Sequence, residues 1–373
     1  MTDDENHIGA AVLVTDESRQ YVNPRQLASY REHRRQLAQW MQNLGKDPEK
    51  ANGYAESTVK TRMARLDKFY RWVWEQEDGY TEDVSVSHAD AWMKHLAHQD
   101  YASSYKSCCQ KAVKTLFKYR SWEQGEDIDW EPVITYSDNS GTDNPRDYLS
   151  RDERRKIREA SLEHGSIPHY NSLTPEERDE WKAYLAQRFE KPKERVTKSD
   201  WDRANSFKTP SMVWTAMDAG LRPVEVQRAK VSWIDLDNGV LRIPKEDSSK
   251  NTDNWTISLL DRTVYFLEQW LQERKNRERY EGSDKVWLTR SRNGYSSHSL
   301  NYLLDKLCET AGIDTENRDI TWYSIRHSVG TYMAREEGLA AAQAQLRHKS
   351  EKTTMKYDQA PVEDRKDALN KMG

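Results

Sequence analysis

Residues 321–328 read Thr-Trp-Tyr-Ser-Ile-Arg-His-Ser, and two shorter motifs follow them, Leu346-Arg-His348 and Thr353-Thr-Met-Lys-Tyr357. A fourth motif, Ala219-Gly-Leu-Arg-Pro-Val-Glu225, stands earlier in the chain, directly after an apolar helical segment. Each motif is a weak signal alone, because an arginine after a helix usually joins a surface ion pair and a tyrosine near a C-terminus usually packs. Their joint order is far more specific than any single one.

The segments around these motifs predict helices with one small antiparallel sheet. Ser150-Arg-Asp-Glu153 has the form of a capping box, which predicts that a helix begins there. Residues 165–205 are very polar and predict an extra helical excursion, to which we assign no function. Further on, the patterns predict a helix at 209–219 closed by Gly220, and short strands at 233–236, 240–244 and 255–259.

The first half predicts four helical segments, two of them with basic outer faces. In the second segment, apolar residues step by four and three positions along one stripe: Val59, Met63, Leu66, Tyr70 and Val73. The fourth segment, at about 103–122, has no acidic residue between 101 and 121. Such faces can contact DNA phosphates or can simply be solvated. The candidate DNA-binding residues are Lys60, Arg62, Arg65, Lys106, Lys111, Lys114 and Lys118.

Breaks in the pattern divide the chain into four parts. Asp, Asn, Ser, Gly and Pro dominate residues 125–145, which predicts an interdomain linker. The fold class is therefore mainly α with a small antiparallel β-sheet. The predicted parts are a disordered acidic tail at 1–20, a helical DNA-binding domain at 21–124, the linker at 125–145 and a catalytic domain at 146–373.

The net charge does not exclude a nucleic-acid partner. The chain has 58 basic and 62 acidic residues, for a formal charge of −4. Residues 1–20 hold five acids and one base, a local −4, so the remainder is neutral. A neutral protein can still bind DNA if its bases lie on one face, because counterion release depends on local phosphate contacts.

Several classes of site and location are disfavoured by composition. Three cysteines, two of them adjacent, suit neither a disulfide framework nor a zinc site. No glycine-rich phosphate loop and no histidine–carboxylate cluster with ligand spacing is present, so we expect no nucleotide, metal or other cofactor. No segment reads as a signal peptide or a membrane span, and we expect a cytoplasmic protein that associates with the nucleoid when bound to DNA.

The motifs between about Tyr148 and Tyr357 closely resemble the tyrosine recombinase (phage integrase) family, which includes Xer-like and integrase-like recombinases. That family has Gly-Leu-Arg-x-x-Glu, a lysine in a β-hairpin, His-x-x-Arg-His, Leu-Gly-His and Thr-Thr-x-x-Tyr. The resemblance implies a helical core-binding (SAM-like) domain before the catalytic domain. It also implies site-specific cleavage and rejoining of double-stranded DNA through a 3′-phosphotyrosyl link. The expected assembly is a homotetramer on DNA, built from monomers or dimers.

The resemblance also gives the site residues their roles. Two guanidiniums suit the non-bridging oxygens of a phosphodiester transition state, because each can pair with two oxygens. By the resemblance these are Arg222 and Arg326, while Tyr357 is the nucleophile and His348 bonds a phosphate oxygen or orients the site. Lys250 matches the general acid that protonates the departing 5′ oxygen, with Lys245 as the competing candidate.

Two positions depart from the family pattern. Tyr323 stands where a histidine or lysine is usual, and a tyrosine is a poor base at neutral pH, so His327 is an alternative proton acceptor. Arg347 stands where glycine is common, and we expect it either to contact DNA or to lie in solvent. We expect Glu225, one turn after Arg222, to hold a buried arginine.

Two other functions remain open from the sequence. A type IB-like topoisomerase shares the arginine–lysine–tyrosine chemistry, and a DNA-binding protein with a degenerate site would account for Tyr323. Among recombinases, the variant box and the segment at 165–205 favour an integrase of a mobile element over a Xer-type resolver. Residues 361–373 after the tyrosine are a candidate segment for docking on a neighbouring protomer.

Overall fold

The computed structural model describes residues 6–136, 147–165, 167–202, 204–248, 253–357 and 362–372. The chain forms two compact units, Met1–Asn144 and Pro145–Gly373. Both are mainly helical, and the second contains a three-stranded antiparallel sheet, which confirms the predicted fold class. No helix among the described residues is long and apolar enough to cross a bilayer.

Four long helices build the first unit. They are α2 (Pro24–Asn43), α3 (Glu56–Gln76), α4 (Val86–Ala97) and α5 (Ser103–Glu123). Asn23 caps α2 in a capping box, with Pro24 at the first helical position where its missing N–H costs nothing. The predicted stripe of α3 is fully buried, from Val59 to Val73, and packs on the neighbouring helices to form the core.

The predicted disordered acidic tail is wrong for residues 6–20, while residues 1–5 lie outside the described part. Strand β1 (His7–Ile8) pairs with β2 (Ala11–Val12), and helix α1 (Asp16–Arg19) follows. The alternating apolar residues after β1 are buried, and the buried Arg34 donates from Nε to the Leu13 carbonyl at 3.0 Å. The acidic side chains remain exposed, so the average composition concealed a short segment that packs on α3.

Part of the predicted linker also belongs to the first unit. Trp130 is buried in its core, and the indole Nε1–H donates to Asp90 Oδ1 at 3.0 Å. Ile128 and Ile134 pack beside it. Residues 137–146, the most polar part of the predicted linker, lie outside the described residues.

The second unit consists of helices packed around one small sheet. Strands β3 (Ile234–Asp235), β4 (Val240–Ile243) and β5 (Trp255–Ser258) pair in that order, antiparallel, and Leu241 faces Ile257 across β4 and β5. The predicted capping box at Ser150 is confirmed at the start of α6. The helices around the sheet are α6 (Arg151–Glu163), α9 (Lys208–Ala219), α10 (Pro223–Arg228), α11 (Asp261–Lys275), α12 (Ser297–Thr310) and α13 (Trp322–Leu346).

An inserted segment between α6 and α9 has a small core of its own. It contains α7 (Pro175–Arg188) and α8 (Lys198–Asp202), as the predicted helical excursion requires. Trp181, Leu185 and Trp201 are buried together within it. After α13 the chain continues through α14 (Glu351–Thr354), a 3-10 turn at Met355–Tyr357, and α15 (Val362–Met372).

Candidate active site

Arg222 is positioned by the tight passage from α9 to α10. Gly220 ends α9 with φ +55°, and a Cβ there would lie 2.6 Å from Leu346 Cδ2, so glycine is required by both conformation and space. Arg222 is the N-cap of α10, where its backbone N–H donates to Glu225 Oε2 at 2.8 Å. Its guanidinium donates from Nη1 to Glu225 Oε1 at 2.8 Å. Glu225 therefore fixes both the backbone and the charge of Arg222.

Arg326 projects from the second turn of α13 into the interior. It is 2% exposed and donates from Nη1 to the Gly220 carbonyl at 2.6 Å, and from Nη2 to the Leu346 carbonyl. Nη2 also lies 3.0 Å from His348 Nε2. Arg326 thus connects the end of α9 to the end of α13, and both arginines predicted for the site lie beside Gly220.

The tautomer of His348 follows from its two neighbours. A guanidinium can only donate, so Nε2 must be the acceptor towards Arg326. Nδ1 then carries the proton and donates to Thr354 Oγ1 at 2.9 Å. This bond fixes the plane of the imidazole, which is 6% exposed.

Both expectations for Arg347 are wrong, because this side chain neither lies in solvent nor is accessible to DNA. It is 4% exposed, and Nη2 forms an ion pair with Glu225 Oε2 at 2.6 Å. Nη1 donates to the Ala219 carbonyl at 2.6 Å, and Nη2 also reaches the Gly220 carbonyl at 3.1 Å. The residue has φ +58°, the left-handed conformation that glycine adopts most easily. The polar partners of the guanidinium offset that conformational cost.

The buried guanidiniums of Arg326 and Arg347, the partly buried guanidinium of Arg222 and one carboxylate make the site strongly positive. Burial would raise the pKa of Glu225, but the charges of Arg347 and Arg222 outweigh it and hold this pKa at about 2. Burial lowers the pKa of Arg326 to about 9, and repulsion from Arg347 and Arg222 adds to the effect. An anion bound at this site would compensate for the lost hydration of the guanidiniums and reduce the repulsion between them.

Tyr357 lies against the histidine side of this cluster. It is 3% exposed, and its ring is nearly parallel to the His348 imidazole, with 5.7 Å between centroids and 10° between planes. The His327 ring is 5.2 Å away. A Cβ on Gly330 would lie 2.7 Å from Tyr357 Cδ1, so the ring fits only because α13 has a glycine there. Sequence reasoning missed Gly330, although it lies one helical turn after Arg326.

The contacts described above do not include the two remaining predicted catalytic residues, Tyr323 and Lys250. Tyr323 lies in the first turn of α13 and is 37% exposed. Lys250 lies outside the described residues. Lys245 is exposed, and its backbone N–H donates to Asn254 Oδ1 at 2.8 Å, across the connection between β4 and β5. No group of His, Cys, Asp and Glu among the described residues could hold a metal ion.

In the first unit, the predicted DNA-binding residues of α3 rest on tyrosine rings. The Arg62 guanidinium lies 3.8 Å from the centroid of the Tyr54 ring and donates to Thr115 Oγ1 at 2.7 Å. Arg65 lies 4.1 Å from the Tyr105 ring centroid. These contacts place the basic faces of α3 and α5 side by side. The basic runs did not indicate which tyrosines these arginines contact.

Two of the predicted α5 residues donate to backbone carbonyls. Lys118 donates to the Gly45 and Lys46 carbonyls at 3.1 and 3.0 Å, and Lys106 reaches the Ala97 carbonyl at 3.4 Å. The exposed predicted residues are Lys60, Lys111, Lys114 and Lys118. The α3–α5 basic surface is thus the set Lys60, Arg62, Arg65, Lys68, Lys106, Lys111, Lys114 and Lys118.

Comparison with known proteins gives a family match to part of the chain and a likeness of fold. Residues 194–363 match the phage integrase family. No curated protein matches the chain at a significant level. The XerH site-specific recombinase bound to its difH substrate is similar over 94% of this chain and 90% of that one, with 14% identity and a TM-score of 0.54.

Lambda integrase gives two further structural likenesses. The tetramer bound to a Holliday junction covers 86% of this chain and 76% of its own, with 15% identity and a TM-score of 0.52. A dimer bound to a COC′ core site covers 88% and 95%, with 15% identity and a TM-score of 0.50. At such identities the likeness establishes the fold. The comparisons give no support to a topoisomerase or to a DNA-binding protein without activity.

Proposed function

We propose that this chain, whose residues 194–363 match the phage integrase family, is a tyrosine site-specific recombinase that cleaves and rejoins DNA through a 3′-phosphotyrosyl link to Tyr357. One observation carries the proposal. The turn after α9, the second turn of α13 and the segment after α13 bring Arg222, Arg326, His348 and Tyr357 to one buried, positively charged site.

The proposed reaction conserves the energy of the phosphodiester. The Tyr357 phenolic oxygen forms a bond to phosphorus while the bond from phosphorus to the 5′ oxygen breaks. Arg222 and Arg326 bind the non-bridging oxygens, whose negative charge grows in the transition state. Lys250 donates the proton that the departing 5′ oxygen takes up. The free 5′ hydroxyl of the partner duplex then attacks the phosphotyrosyl link and releases Tyr357.

His348 acts mainly as an orienting group in this scheme. Its Nε2 lies beside Arg326 and its Nδ1–H is bonded to Thr354, so the imidazole plane is set before DNA arrives. Because the imidazole packs nearly parallel to the Tyr357 ring, it also restricts the orientation of the nucleophile. A phosphate oxygen can replace Arg326 as the partner of Nε2 after a change of protonation.

The proton of Tyr357 needs an acceptor, and the geometry favours His327 over Tyr323. The His327 ring lies 5.2 Å from the Tyr357 ring, whereas Tyr323 is directed far enough outward to remain 37% exposed. An imidazole titrates near neutral pH and a phenol does not. We therefore expect His327→Ala to reduce cleavage more than Tyr323→Phe does.

The α3–α5 basic surface is the proposed contact to the DNA backbone. Cations held against tyrosine rings keep a fixed position and remain partly open to phosphates. Such contacts fix the register of a protein on DNA without reading its sequence. The protein would act in the cytoplasm, at the nucleoid that contains its substrate.

Assembly as a tetramer on two DNA sites is also proposed. The lambda integrase neighbour was solved as a tetramer on a Holliday junction. In α15, Leu369 and Met372 are 67% and 83% exposed, which leaves apolar side chains for a neighbouring protomer to cover. Assembly on DNA that persists after deletion of residues 361–373 would contradict this role for α15.

A suicide-substrate assay tests the reaction. Wild type and Tyr357→Phe are incubated with a nicked duplex that carries the candidate site, taken from the genomic sequence flanking the gene. We expect a covalent protein–DNA band for wild type and none for Tyr357→Phe, with equal binding of the duplex. Binding to a preferred site without any covalent band would contradict the proposal. Relaxation of supercoiled plasmid by isolated monomers would instead indicate a topoisomerase.

A further inference from the structure

A second cationic cavity lies in the catalytic unit, away from the site just described. It occupies about 550 Å³ between the inserted segment, the start of α9, the segment that follows α11, and α12. Lys208, Arg277, Arg279 and Arg290 line it, together with His164 and His169. No aspartate or glutamate is among the described residues of the lining, and none of the lining residues belongs to the proposed active site.

Lys208 has few hydrogen-bond acceptors for a buried ammonium. Within the described part of the chain, its ammonium has one hydrogen-bond acceptor, the Leu288 carbonyl oxygen at 3.5 Å, and it lies 5.4 Å from the Tyr295 ring centroid. An ammonium has three donors, and burying it without acceptors is costly. Burial, together with the charges of Arg277 and Arg279, lowers the pKa of Lys208 to about 8.

Among the described residues, Arg277 is the one cavity arginine whose charge is balanced by a carboxylate. Arg277 donates from Nε to Glu273 Oε1 at 2.9 Å, and the same carboxylate accepts from Ser206 Oγ and the Phe207 N–H at 2.7 Å each. Glu273 is therefore fully occupied by these donors. Lys208, Arg279 and Arg290 contribute a surplus of positive charge to the cavity.

The start of α9 adds to the positive potential. Lys208 and Thr209 form its first turn and line the cavity; the Lys208 N–H donates to Ser206 Oγ at 3.2 Å, and Pro210 has no N–H. The N-terminal end of a twelve-residue helix carries a partial positive charge and favours anions. Hydroxyl groups of Ser172 and Tyr295 also line the space.

We propose that this cavity binds a polyanion with two or more phosphate groups, held by Lys208, Arg279, Arg290 and the first turn of α9. The volume exceeds what a single phosphate needs and falls in the range of ligand cavities. Guanidiniums and an ammonium at a helix N-terminus match phosphate oxygens in charge and geometry. The phosphates come from a free polyphosphate compound or from the backbone of DNA.

Calorimetric titration of the full chain with sodium tripolyphosphate tests the site. We expect Lys208→Met and Arg290→Gln each to weaken binding at this site by at least about tenfold, the loss of one charge-assisted contact. Lys156→Met is the matched control, because it removes one positive charge from an exposed pair on α6 outside the cavity. Equal affinities in wild type, Lys208→Met and Arg290→Gln would overturn the proposal.

Thermal unfolding without ligand separates binding from folding. Lys208→Met should unfold at the same or a higher temperature than wild type, because it removes a poorly satisfied buried charge. Arg290 is exposed, so Arg290→Gln keeps the fold even if the first variant does not. Displacement of bound tripolyphosphate by a short duplex without the target site assigns the cavity to the DNA backbone, and simultaneous binding assigns it to a free phosphate compound.

Discussion

The α3–α5 basic surface and the arginine site of the second unit use the same chemistry in opposite environments. On the surface, burial alone would lower the pKa of Lys68, but hydrogen bonds to the Tyr101 and Tyr105 hydroxyls raise it. In the arginine site, burial lowers the pKa of Arg326 to about 9. The surface cations keep their charge without a bound anion, and each adds a small increment to the affinity for DNA. The buried cations keep their charge and position only while all of their hydrogen-bond partners are present, and they stabilise an anion that binds beside them.

The largest expected difference between the two regions is in the effect of replacing an arginine by lysine. Arg326→Lys keeps the charge but cannot reach both carbonyls and the phosphate, so we expect covalent complex formation to fall by about 10²–10³-fold. Arg65→Lys, the same exchange on the surface, should leave the rate within about threefold of wild type, since backbone contacts depend chiefly on charge. Single-turnover cleavage of the nicked duplex measures both.

Equal rates for these two variants would show that the buried guanidinium has no special geometric role. Circular dichroism of Arg326→Lys confirms that the loss is catalytic. Saturating DNA in both reactions removes any difference in affinity.

The next largest effect concerns stability. Glu225→Gln leaves Arg222 and Arg347 without their buried carboxylate, and we expect the free energy of unfolding of the second unit to fall by about 3–5 kcal/mol. Glu336→Gln breaks an ion pair with Arg151 whose side chains are more than half exposed, and it should cost at most about 1 kcal/mol. Urea denaturation followed by tryptophan fluorescence gives both values.

The pH dependence of Glu225 provides an independent check. Its pKa is lowered from 4.5 to about 2 in the folded protein, so its contribution is fully present above pH 4.5 and is lost as the pH falls through 2. The shift corresponds to about 3 kcal/mol. The stability difference between wild type and Glu225→Gln should therefore shrink between pH 4.5 and 2. A constant difference over that range would contradict the assignment.

A smaller effect is expected where Arg347 is returned to the glycine of the family pattern. Arg347→Gly relieves the left-handed backbone by about 1 kcal/mol but removes a partner of Glu225, for a net loss of about 2 kcal/mol. Arg347→Ala should be less stable than Arg347→Gly by about 1 kcal/mol, because alanine keeps the strained φ. An Arg347→Gly variant more stable than wild type would mean that the ion pair does not repay the strain.

The smallest effect lies on the surface. Lys111→Ala and Lys114→Ala, both at exposed positions of α5, should weaken DNA binding modestly and equally for all sequences. Each should reduce the slope of log K against log salt by about 0.9 if the lysine contacts a phosphate. Fluorescence anisotropy at several salt concentrations measures the slope. An unchanged slope would show that the residue is only solvated.

Local patterns predicted much of this molecule. The stripe of α3 and the capping box at Ser150 depend on residues three or four positions apart, so the sequence contains all that is needed to place them. The grouping of Arg222 with Arg326 followed from motif order by resemblance. The basic runs of α3 and α5 were visible, but the contacts of Arg62 with the Tyr54 ring and of Arg65 with the Tyr105 ring were not, since they depend on how the elements pack.

The sequence by itself determined the helical fold class, the β4–β5 hairpin and the identity of the residues that converge on the site. Only the tertiary structure decided that Arg347 is buried against Glu225, that Gly330 makes room for Tyr357, and that residues 6–20 pack on α3. The physical reason is range. Helical period and caps are set by neighbours a few residues away, whereas burial and the partner of a charge depend on elements that meet only when the chain has folded.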